Sequence, residues 1–488
     1  ADASLLNWID TWGPVPPCHP CATLDEHDLA IRPDLAWIDA LEPKLAARLH
    51  AIDAARVPGQ QYYVALAEGT SNPVFVHQAS YSKLTFPDAG FQYLALVRLW
   101  NIVEYWAPNR ELADHWGDQL AKLLPSVMLA TTDQAYKQAM MAAIAKVHDT
   151  HANLWSSLDV RPPLGACDLA AKIRFVEKQA VVTEPTGGLQ RGDVITTIDG
   201  ATIESLVTQW SPLYADSNEA AQLRDIAEAM TRGPCGDVAL GVKRGTAKVT
   251  VKATRGPRTQ PGSRTHDLPG PTFRMLSPDL AYLKLSTVHA ADLAHYVEQA
   301  AGTKGWIIDI RNYPSEFMVF DFGGMLVDKK TPFARFTSGD LSNPGAFHWS
   351  ENVEIEPTSP HYGKKVVVLV DEVSQSQAEY TSMAFRAAPQ TVIVGSTTAG
   401  ADGDISKFSL PGGLFSMVSG LGVFYPDKKP TQRIGIIPDV VVTPTIAGIR
   451  AGRDEVLEAG IREILGRSTS ATQIQQIVRS QKPDATAR

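Results

Sequence analysis

Hydrophobic and polar positions divide the chain into three stretches with different predicted structure. Over residues 1–160, apolar residues recur at helical spacing and alanine is frequent, which predicts a mostly helical N-terminal domain. The predicted helices are Asp34–Asp53, Gly90–Ala107 and Thr132–Val147, and short strands are predicted at Gln61–Leu66 and Val74–Val76.

Short β-like runs separated by Gly, Pro and Asp turns fill residues 165–256 and predict a β domain. Residues 257–273 are rich in Pro, Gly, Ser and Thr and predict a linker. The predicted strands are Ala170–Val176, Val194–Ile198, Val238–Val242 and Lys248–Ala253.

Strands and helices alternate over residues 274–467, which predicts a layered α/β core. Residues 468–488 are polar and are expected to form a frayed tail. The predicted strands are Leu280–Leu285, Gly305–Ile310, Lys365–Val370, Thr391–Val394 and Val440–Val442, and the predicted helices are Ala290–Ala301, Gln377–Ala388 and Asp454–Leu465. The Gly- and aromatic-rich residues 396–427 are expected either to line a substrate cleft or to form a hairpin at a sheet edge.

Composition and charge narrow the possible partners. The 488 residues are 44% hydrophobic and 20% charged, which is typical of a globular protein of several domains. A net charge of −8 without any basic block argues against nucleic-acid binding, which needs clustered Lys and Arg. No apolar run approaches the ~20 residues that cross a bilayer, so no membrane span is predicted.

Four cysteines are too few for a disulfide scaffold in a chain of this length. Cys18 and Cys21 form a C-x-x-C pair, for which a local disulfide or two free thiols are favoured over zinc. Cys167 and Cys235 are far apart and follow no recognised pattern. The sequence starts at Ala1 in a small-residue stretch that resembles the remainder of a cleaved export signal, so a periplasmic or secreted protein is expected.

A strand-to-helix turn near residue 376 contains a serine that is a candidate nucleophile. An apolar strand ends at Asp371 and a helix begins near Ser376, so the Gln377 N–H lies at the positive helix terminus and is able to stabilise an oxyanion. The same spacing fits a capping box, in which Ser376 and Glu379 only complete the start of the helix.

Several motifs in order resemble known families. GLQRGDVITTIDG (188–200) resembles the core of a PDZ domain, a module that binds a peptide as an added strand, although a domain that binds nothing is the alternative. WIIDIRNYP (306–314), SQSQAEYTSMAF (374–385), VIVGSTTAGADG (392–403) and GIIPDVVV (435–442) resemble the tail-specific and tricorn-core serine peptidases.

The resemblance covers roughly residues 145–465 and implies a fold and an activity. The fold is a multidomain α/β arrangement with a helical N-terminal domain, a PDZ-like domain at 165–256 and a crotonase-like (ClpP/crotonase) peptidase core at 274–467. The implied activity is peptide-bond hydrolysis by Ser376 on peptide or protein substrates, with no metal or organic cofactor, and the Gln377 backbone as one oxyanion donor.

Two departures from the family pattern affect this site. The usual Gly-Gly of the second oxyanion donor is Ser315-Glu316 here, so the expected donor is the Ser315 N–H. The lysine of the tail-specific branch is replaced by Ala401, and Lys407 would need a different loop path. The site is therefore either inactive or uses another base.

The resemblance to the tricorn-like branch supplies such a base, a histidine beside a hydroxyl residue at a helix end. His151 with Thr150 matches it, and Gln432 stands where that branch carries an acid. A glutamine orients an imidazole without stabilising its charged form. The charge would then come from another carboxylate, for which the candidates are Asp149, Glu379, Asp402 and Asp404.

Alternatives remain open at the level of sequence. For His151, the alternatives are a plain polar residue at a helix end and a metal ligand together with His148 and Asp149. For the whole chain, the alternatives are an inactive peptide-binding protein and a hydrolase of small esters or amides that uses the same residues. The sequence predicts neither the cleavage specificity nor the oligomeric state.

Overall fold

The computed structural model describes residues 1–59, 61–258 and 264–479. Its N-terminal region contains five helices but also long irregular segments and three short strands, so it is less helical than predicted. The elements are α1 (Asp2–Asp10), β1 (Leu29–Ile31), α2 (Pro43–Ala54), β2 (Val64–Leu66), β3 (Pro73–Phe75), α3 (Ala89–Trp106), α4 (Trp116–Met128) and α5 (Asp133–Ala145).

Local sequence explains where these helices begin. The predicted helix over 34–53 is divided, because Pro43 lacks an N–H and fits only the first turn of α2. Thr132 caps α5 as predicted, its Oγ1 accepting from the Ala135 N–H at 3.1 Å. None of the described helices combines the length and apolar character needed to cross a bilayer.

The second region folds as an antiparallel sheet with two helices. The strands run in the order β4-β10-β9-β7-β6-β5, and β8 pairs with β7. A disulfide joins Cys167 to Cys235, a pairing that the sequence did not suggest, and Cys18 pairs with Cys21. The elements are β4 (Cys167–Asp168), β5 (Lys172–Val176), β6 (Gln179–Glu184), β7 (Val194–Ile198), β8 (Ala201–Thr202), α6 (Ile203–Trp210), α7 (Glu219–Ala229), β9 (Gly236–Arg244) and β10 (Ala247–Pro257).

The third region is built on a six-stranded sheet in the order β11-β12-β13-β16-β17-β21. Its elements are β11 (Phe273–Ser277), β12 (Leu280–Lys284), α8 (Leu293–Ala300), β13 (Gly305–Asp309), α9 (Val319–Leu326), β14 (Thr331–Gly339), β15 (Phe347–Ile355), β16 (Lys365–Val370), α10 (Gln377–Arg386), β17 (Thr391–Gly395), β18 (Ile405–Leu410), β19 (Leu414–Ser419), β20 (Gly422–Phe424), β21 (Val440–Val441), α11 (Ile446–Arg450), α12 (Glu455–Leu465) and α13 (Ala471–Arg479).

The central strands are buried on both faces, as their uninterrupted apolar runs predict. Val366 and Val368 face one core with α8, α9 and α10, while Val367 and Leu369 face the other with α12 and α13. The strands β12, β13, β16, β17 and β21 are parallel, so their carboxyl ends meet at one edge of the sheet. Ligands in open α/β sheets bind outside this edge.

Two smaller sheets join the N-terminal region to the core. Strand β1 extends the sheet β1-β15-β14-β20, and the hairpin β18-β19 packs against helices α3 to α5. Residues 405–419 therefore form a hairpin, the second of the two structures expected there.

The predicted linker and tail differ in part from the structure. Pro257 ends β10, Phe273 begins β11, residues 264–272 form neither helix nor strand, and residues 259–263 lie outside the described residues. The prediction of a frayed tail is wrong over α13, because Ile474 on this helix is buried against the central sheet. Residues 480–488 lie outside the described residues.

Candidate active site

Ser376 lies between β16 and α10 in a conformation that L residues rarely adopt. Its φ of 55° and ψ of −118° place it in the left-handed half of conformational space, where a side chain is strained. Its N–H donates to the Ala401 carbonyl at 2.9 Å and to Glu379 Oε2 at 3.1 Å. Ser376 and Glu379 form the capping box that their spacing predicts at the start of α10, and the Glu379 N–H also donates to the Ser376 carbonyl at 2.8 Å.

Glu379 holds the neighbouring loop against this serine. Its Oε1 accepts from Thr398 Oγ1 and from the Gly400 N–H at 2.8 Å, and its Oε2 accepts from the Ala401 N–H at 3.0 Å as well as from Ser376. Burial raises the pKa of Glu379 by more than these hydrogen bonds lower it, so the net direction is upward. All of its acceptor capacity is directed at this turn, so it supports the serine rather than the histidine.

The two predicted oxyanion donors, the Gln377 and Ser315 N–H groups, differ in whether the N–H is already hydrogen-bonded. Gln377 is the first residue of α10, and within the described residues its N–H donates to no other group, as an oxyanion donor requires. The Ser315 N–H donates to the Leu285 carbonyl at 2.9 Å, and its hydroxyl donates to Val288 O at 2.6 Å. The prediction for Ser315 is therefore wrong, because its turn is folded onto the end of β12.

His151 is buried in a turn that follows α5, with 8% of its surface exposed. Its Nδ1 lies 2.9 Å from Ser419 Oγ and 3.6 Å from Asp149 Oδ1. Ser419 donates to Asp149 twice, through its hydroxyl at 3.0 Å and its N–H at 2.6 Å. Because the Ser419 proton goes to Asp149, its oxygen accepts from Nδ1–H, and this leaves Nε2 of His151 as the basic nitrogen.

Burial lowers the pKa of His151, while the negative charges of Asp149 and Asp404 raise it. The net direction is downward, so the imidazole is neutral near neutral pH and is able to accept a proton. Of the four carboxylates considered from the sequence, Asp149 is the one in contact with this ring.

Thr150 and Gln432 do not orient the imidazole. The Thr150 hydroxyl donates to Ser217 Oγ at 3.1 Å and accepts from the Ser217 N–H at 3.0 Å. Gln432 is buried, its Oε1 has no hydrogen-bond partner, and no hydrogen bond joins it to His151 among the residues that the structure describes. Ser419 and Asp149 take the role predicted for this pair. Only contacts between distant segments reveal Ser419, which carries no sequence signal.

The segment 401–405 connects the serine to the histidine. Ala401 accepts from the Ser376 N–H, and Ile405 pairs with Ser419, whose hydroxyl contacts His151. Asp404 lies between the two, and its charge acts on His151. Ser376 therefore contacts the first residue of this segment directly, and His151 is linked to its last residue through Ser419.

Ligand-type side chains elsewhere fit a metal poorly. His148 pairs with Asp114 at 2.9 Å instead of joining His151. His266, Asp371 and Glu372 bring ligand atoms within 4.8 Å of one another. Arg174 lies between their carboxylates, 3.1 Å from Asp371 and 2.7 Å from Glu372, and already supplies the positive charge there.

An exposed aromatic surface lies beside the serine. Phe317 and Phe320 are 55% and 42% exposed, and Phe317 stacks on Tyr380, one helical turn beyond Ser376. The Gln377 side chain donates to the Glu316 carbonyl at 2.6 Å and fixes this aromatic surface next to the start of α10.

The chain is similar to known peptidases. The sequence model of peptidase family S41 matches residues 279–442, which contain Ser376 and strands β12, β13, β16, β17 and β21 of the central sheet. Over these residues the chain is similar to peptidase family S41. The chain is a serine peptidase, and the matched segment includes Ser376 but not His151.

Solved structures share the fold of this chain at low sequence identity. Mature CPAF is 14% identical with a TM-score of 0.60, over 80% of this chain and 98% of that one. CPAF complexed with lactacystin is 15% identical with a TM-score of 0.59, over 80% of this chain and 99% of that one. A putative peptidase from Parabacteroides merdae is 17% identical with a TM-score of 0.50, over 79% of this chain and 99% of that one. No curated protein matches the chain.

Proposed function

We propose that this serine peptidase cleaves peptide bonds with Ser376 as nucleophile and His151 as general base, in the manner of the tricorn-like branch. The observation that carries the proposal is the left-handed backbone of Ser376 directly before the Gln377 N–H, which donates to no other group within the described residues. A serine held this way at a helix N-terminus presents its hydroxyl and an oxyanion donor to the same carbonyl.

The steps follow from the contacts at the two residues. His151 Nε2 takes the proton from Ser376 Oγ as Oγ bonds to the substrate carbonyl carbon, and the Gln377 N–H binds the oxyanion. His151 then gives its proton to the leaving amine as the C–N bond breaks. Water, deprotonated by the same Nε2, hydrolyses the resulting ester and regenerates Ser376.

The Asp149–Ser419 pair supports both proton transfers. Asp149 stabilises the imidazolium that forms, and Ser419 fixes the tautomer with its proton on Nδ1. This arrangement compensates for Gln432 and makes a lysine at position 401 unnecessary.

The finer assignments of the surrounding regions belong to the same proposal. We infer that residues 165–256 are a PDZ-like peptide-binding domain and that residues 274–467 have the crotonase-like topology. Two disulfides support a periplasmic or secreted location, because such bonds persist in oxidising compartments.

The aromatic surface of Phe317, Phe320 and Tyr380 favours peptide substrates that carry a large apolar side chain next to the scissile bond. Peptides with Phe or Leu there are expected to be cleaved faster than those with Asp or Ser. A peptide library read by mass spectrometry measures the preference. Phe317→Ser is expected to reduce it, and an unchanged preference in this variant would contradict the assignment.

A fluorophosphonate probe tests the proposed function. The wild-type protein is expected to be labelled at Ser376, and labelling is expected to be lost in Ser376→Ala and reduced at least about 100-fold in His151→Ala. His148→Ala is the matched control, since this ring faces Asp114. Lack of labelling in folded wild-type protein would favour an inactive peptide-binding protein. Full labelling of His151→Ala would exclude His151 as the base.

A further inference from the structure

We propose that Arg433 is a positioning residue that fixes the place of His151 relative to Ser376. The proposal rests on the proposed function, in which these two residues exchange a proton. Within the described residues, Arg433 forms no hydrogen bond with either of them. It acts through hydrogen bonds that lead to the serine on one side and to the histidine on the other.

The backbone of Arg433 contacts the loop that supports the serine. Its N–H donates to the Gly400 carbonyl at 2.7 Å. Gly400 donates its own N–H to Glu379 Oε1 at 2.8 Å, and Glu379 Oε2 accepts from the Ser376 N–H at 3.1 Å. Arg433 has a φ of 64°, a value that residues other than glycine adopt only where surrounding contacts impose it. The Arg433 backbone is therefore linked to the nucleophile through Gly400 and Glu379.

The side chain of Arg433 contacts the segment that carries the histidine. Its Nε donates to the Ser217 carbonyl at 3.3 Å. Ser217 is paired with Thr150, since its Oγ accepts from the Thr150 N–H at 2.9 Å and its N–H donates to Thr150 Oγ1 at 3.0 Å. Thr150 directly precedes His151 in the chain. The Arg433 side chain therefore restrains the backbone of the base through Ser217 and Thr150.

A second hydrogen bond fixes the guanidinium of Arg433. Its Nη1 donates to the Leu112 carbonyl at 2.6 Å, in the N-terminal region between α3 and α4. The guanidinium is planar and presents its N–H groups at fixed angles, so two carbonyls from two regions hold it in one orientation. One residue of the core thus joins the N-terminal region, the second region and the loop beside Ser376.

Proton transfer depends on this kind of restraint because Ser376 and His151 belong to different regions of the chain. The transfer requires His151 Nε2 within hydrogen-bond reach of Ser376 Oγ. A misplacement of about 1 Å caused by a change far from the chemistry can cost about 10²-fold in rate. The segment 401–405 also links the two residues, so loss of the Arg433 side chain is expected to slow the reaction without abolishing it.

Arg433→Met tests the proposal, because it keeps an unbranched apolar stem and removes every side-chain donor. With fluorescein-labelled casein as substrate, kcat is expected to fall about 100-fold with KM changed less than about twofold. The rate at which a fluorophosphonate labels Ser376 is expected to fall by a similar factor, since labelling needs the same base. Arg274→Met is the matched control, since Arg274 also donates to backbone carbonyls, of Pro269 at 2.8 Å and Pro271 at 2.9 Å, outside this link.

Two further readouts separate a positioning role from a general loss of structure. Arg433→Lys keeps the charge but lacks the fork that bonds two carbonyls at once, so its kcat is expected to stay at least about tenfold below wild type. The pH midpoint of kcat/KM is expected to be unchanged in both variants, because Arg433 bonds neither His151 nor its charged neighbour Asp149. Wild-type kcat in folded Arg433→Lys would overturn the assignment, and so would a moved midpoint in Arg433→Met.

The outcomes also separate this proposal from the function on which it rests. Wild-type labelling by a fluorophosphonate together with an unchanged kcat in Arg433→Met overturns the Arg433 assignment alone. A loss expressed only in KM also overturns it, because substrate binding instead of proton transfer would then depend on Arg433. A folded wild-type protein that neither labels nor cleaves casein overturns both.

Discussion

At the residue scale, a carboxylate two positions before His151 supplies the charge that Gln432 lacks. Asp149 contacts the imidazole directly at 3.6 Å and through the Ser419 hydroxyl. Asp149 and His151 therefore share one turn, and Ser419 on β19 contacts both of them.

Asp149→Asn is expected to lower kcat by up to about 10⁴-fold, because the imidazolium loses its stabilising charge and the Nδ1–H tautomer is no longer favoured. Ser419→Ala is expected to show a smaller loss, since Asp149 remains. Steady-state kinetics with casein measures both. Equal activity of Asp149→Asn and wild type would contradict the role of this carboxylate.

The pH dependence of kcat/KM follows from the pKa of His151. Burial lowers this pKa below its ordinary value of about 6.5, and only the neutral ring accepts a proton. Activity is therefore expected to be complete at neutral pH and to be lost as the pH falls through a midpoint below 6.5. Asp149→Asn removes a charge that raises the pKa, so the midpoint is expected to move to lower pH. A shift upward would contradict the assignment.

At the element scale, the edge where the parallel strands end gathers the turns around the candidate site. The turns after β13 and β16 carry Arg311 and Ser376, and the segment after β17 carries the loop held by Glu379. The buried Arg311 bonds both the buried Asp309 and the partly exposed Asp454, and so ties the first of these turns to the start of α12.

Arg311→Gln is expected to reduce the free energy of unfolding by about 3–5 kcal/mol, because it leaves the buried Asp309 carboxylate without its charged partner. Urea denaturation measures the change. Lys122→Gln is the control, since it disrupts an exposed pair with Asp118 and is expected to change stability by less than about 1 kcal/mol. Similar losses in both variants would contradict the structural role of Arg311.

The elements that could be predicted from sequence are those whose local pattern agrees with their burial. Strand β16 follows from its unbroken apolar run, and α5 follows from its cap and helical spacing. Helix α9 contains Gly323 and Gly324, which weaken any local signal. A Cβ at Gly324 would lie 2.6 Å from Glu356 O, so packing requires a residue that helices disfavour.

The site was predictable to a similar extent. Ser376, Gln377 and His151 lie in motifs that can be read from the sequence, and their catalytic roles stay predictions. The Ser315 prediction failed because the direction of a backbone N–H depends on where β12 ends. Asp149 and Ser419 are 270 residues apart, and no local pattern joins them.

At the scale of the whole molecule, the candidate site is shared between regions. The N-terminal region provides His151, and the hairpin β18-β19 that positions it packs against helices α3 to α5. The second region contacts the same loops, since the Asn218 side chain donates to the Thr398 carbonyl at 2.9 Å. We therefore expect the stability of the second region to affect the geometry of the candidate site.

The Cys167–Cys235 disulfide is expected to stabilise the second region strongly, because it joins residues 68 apart in sequence. Chain-entropy arguments give about 4 kcal/mol for a loop of this length, against about 2 kcal/mol for Cys18–Cys21. Denaturation of the Cys167→Ser/Cys235→Ser and Cys18→Ser/Cys21→Ser double variants measures the two values. A larger loss in the second double variant would contradict this ranking.

The order of His151 and Ser376 along the chain has a consequence for biosynthesis. A ribosome delivers His151 first and Ser376 much later, so a nascent chain carries the proposed base before the proposed nucleophile exists. Proteolytic activity is then expected only after the central sheet has been synthesised and the hairpin has closed on α5.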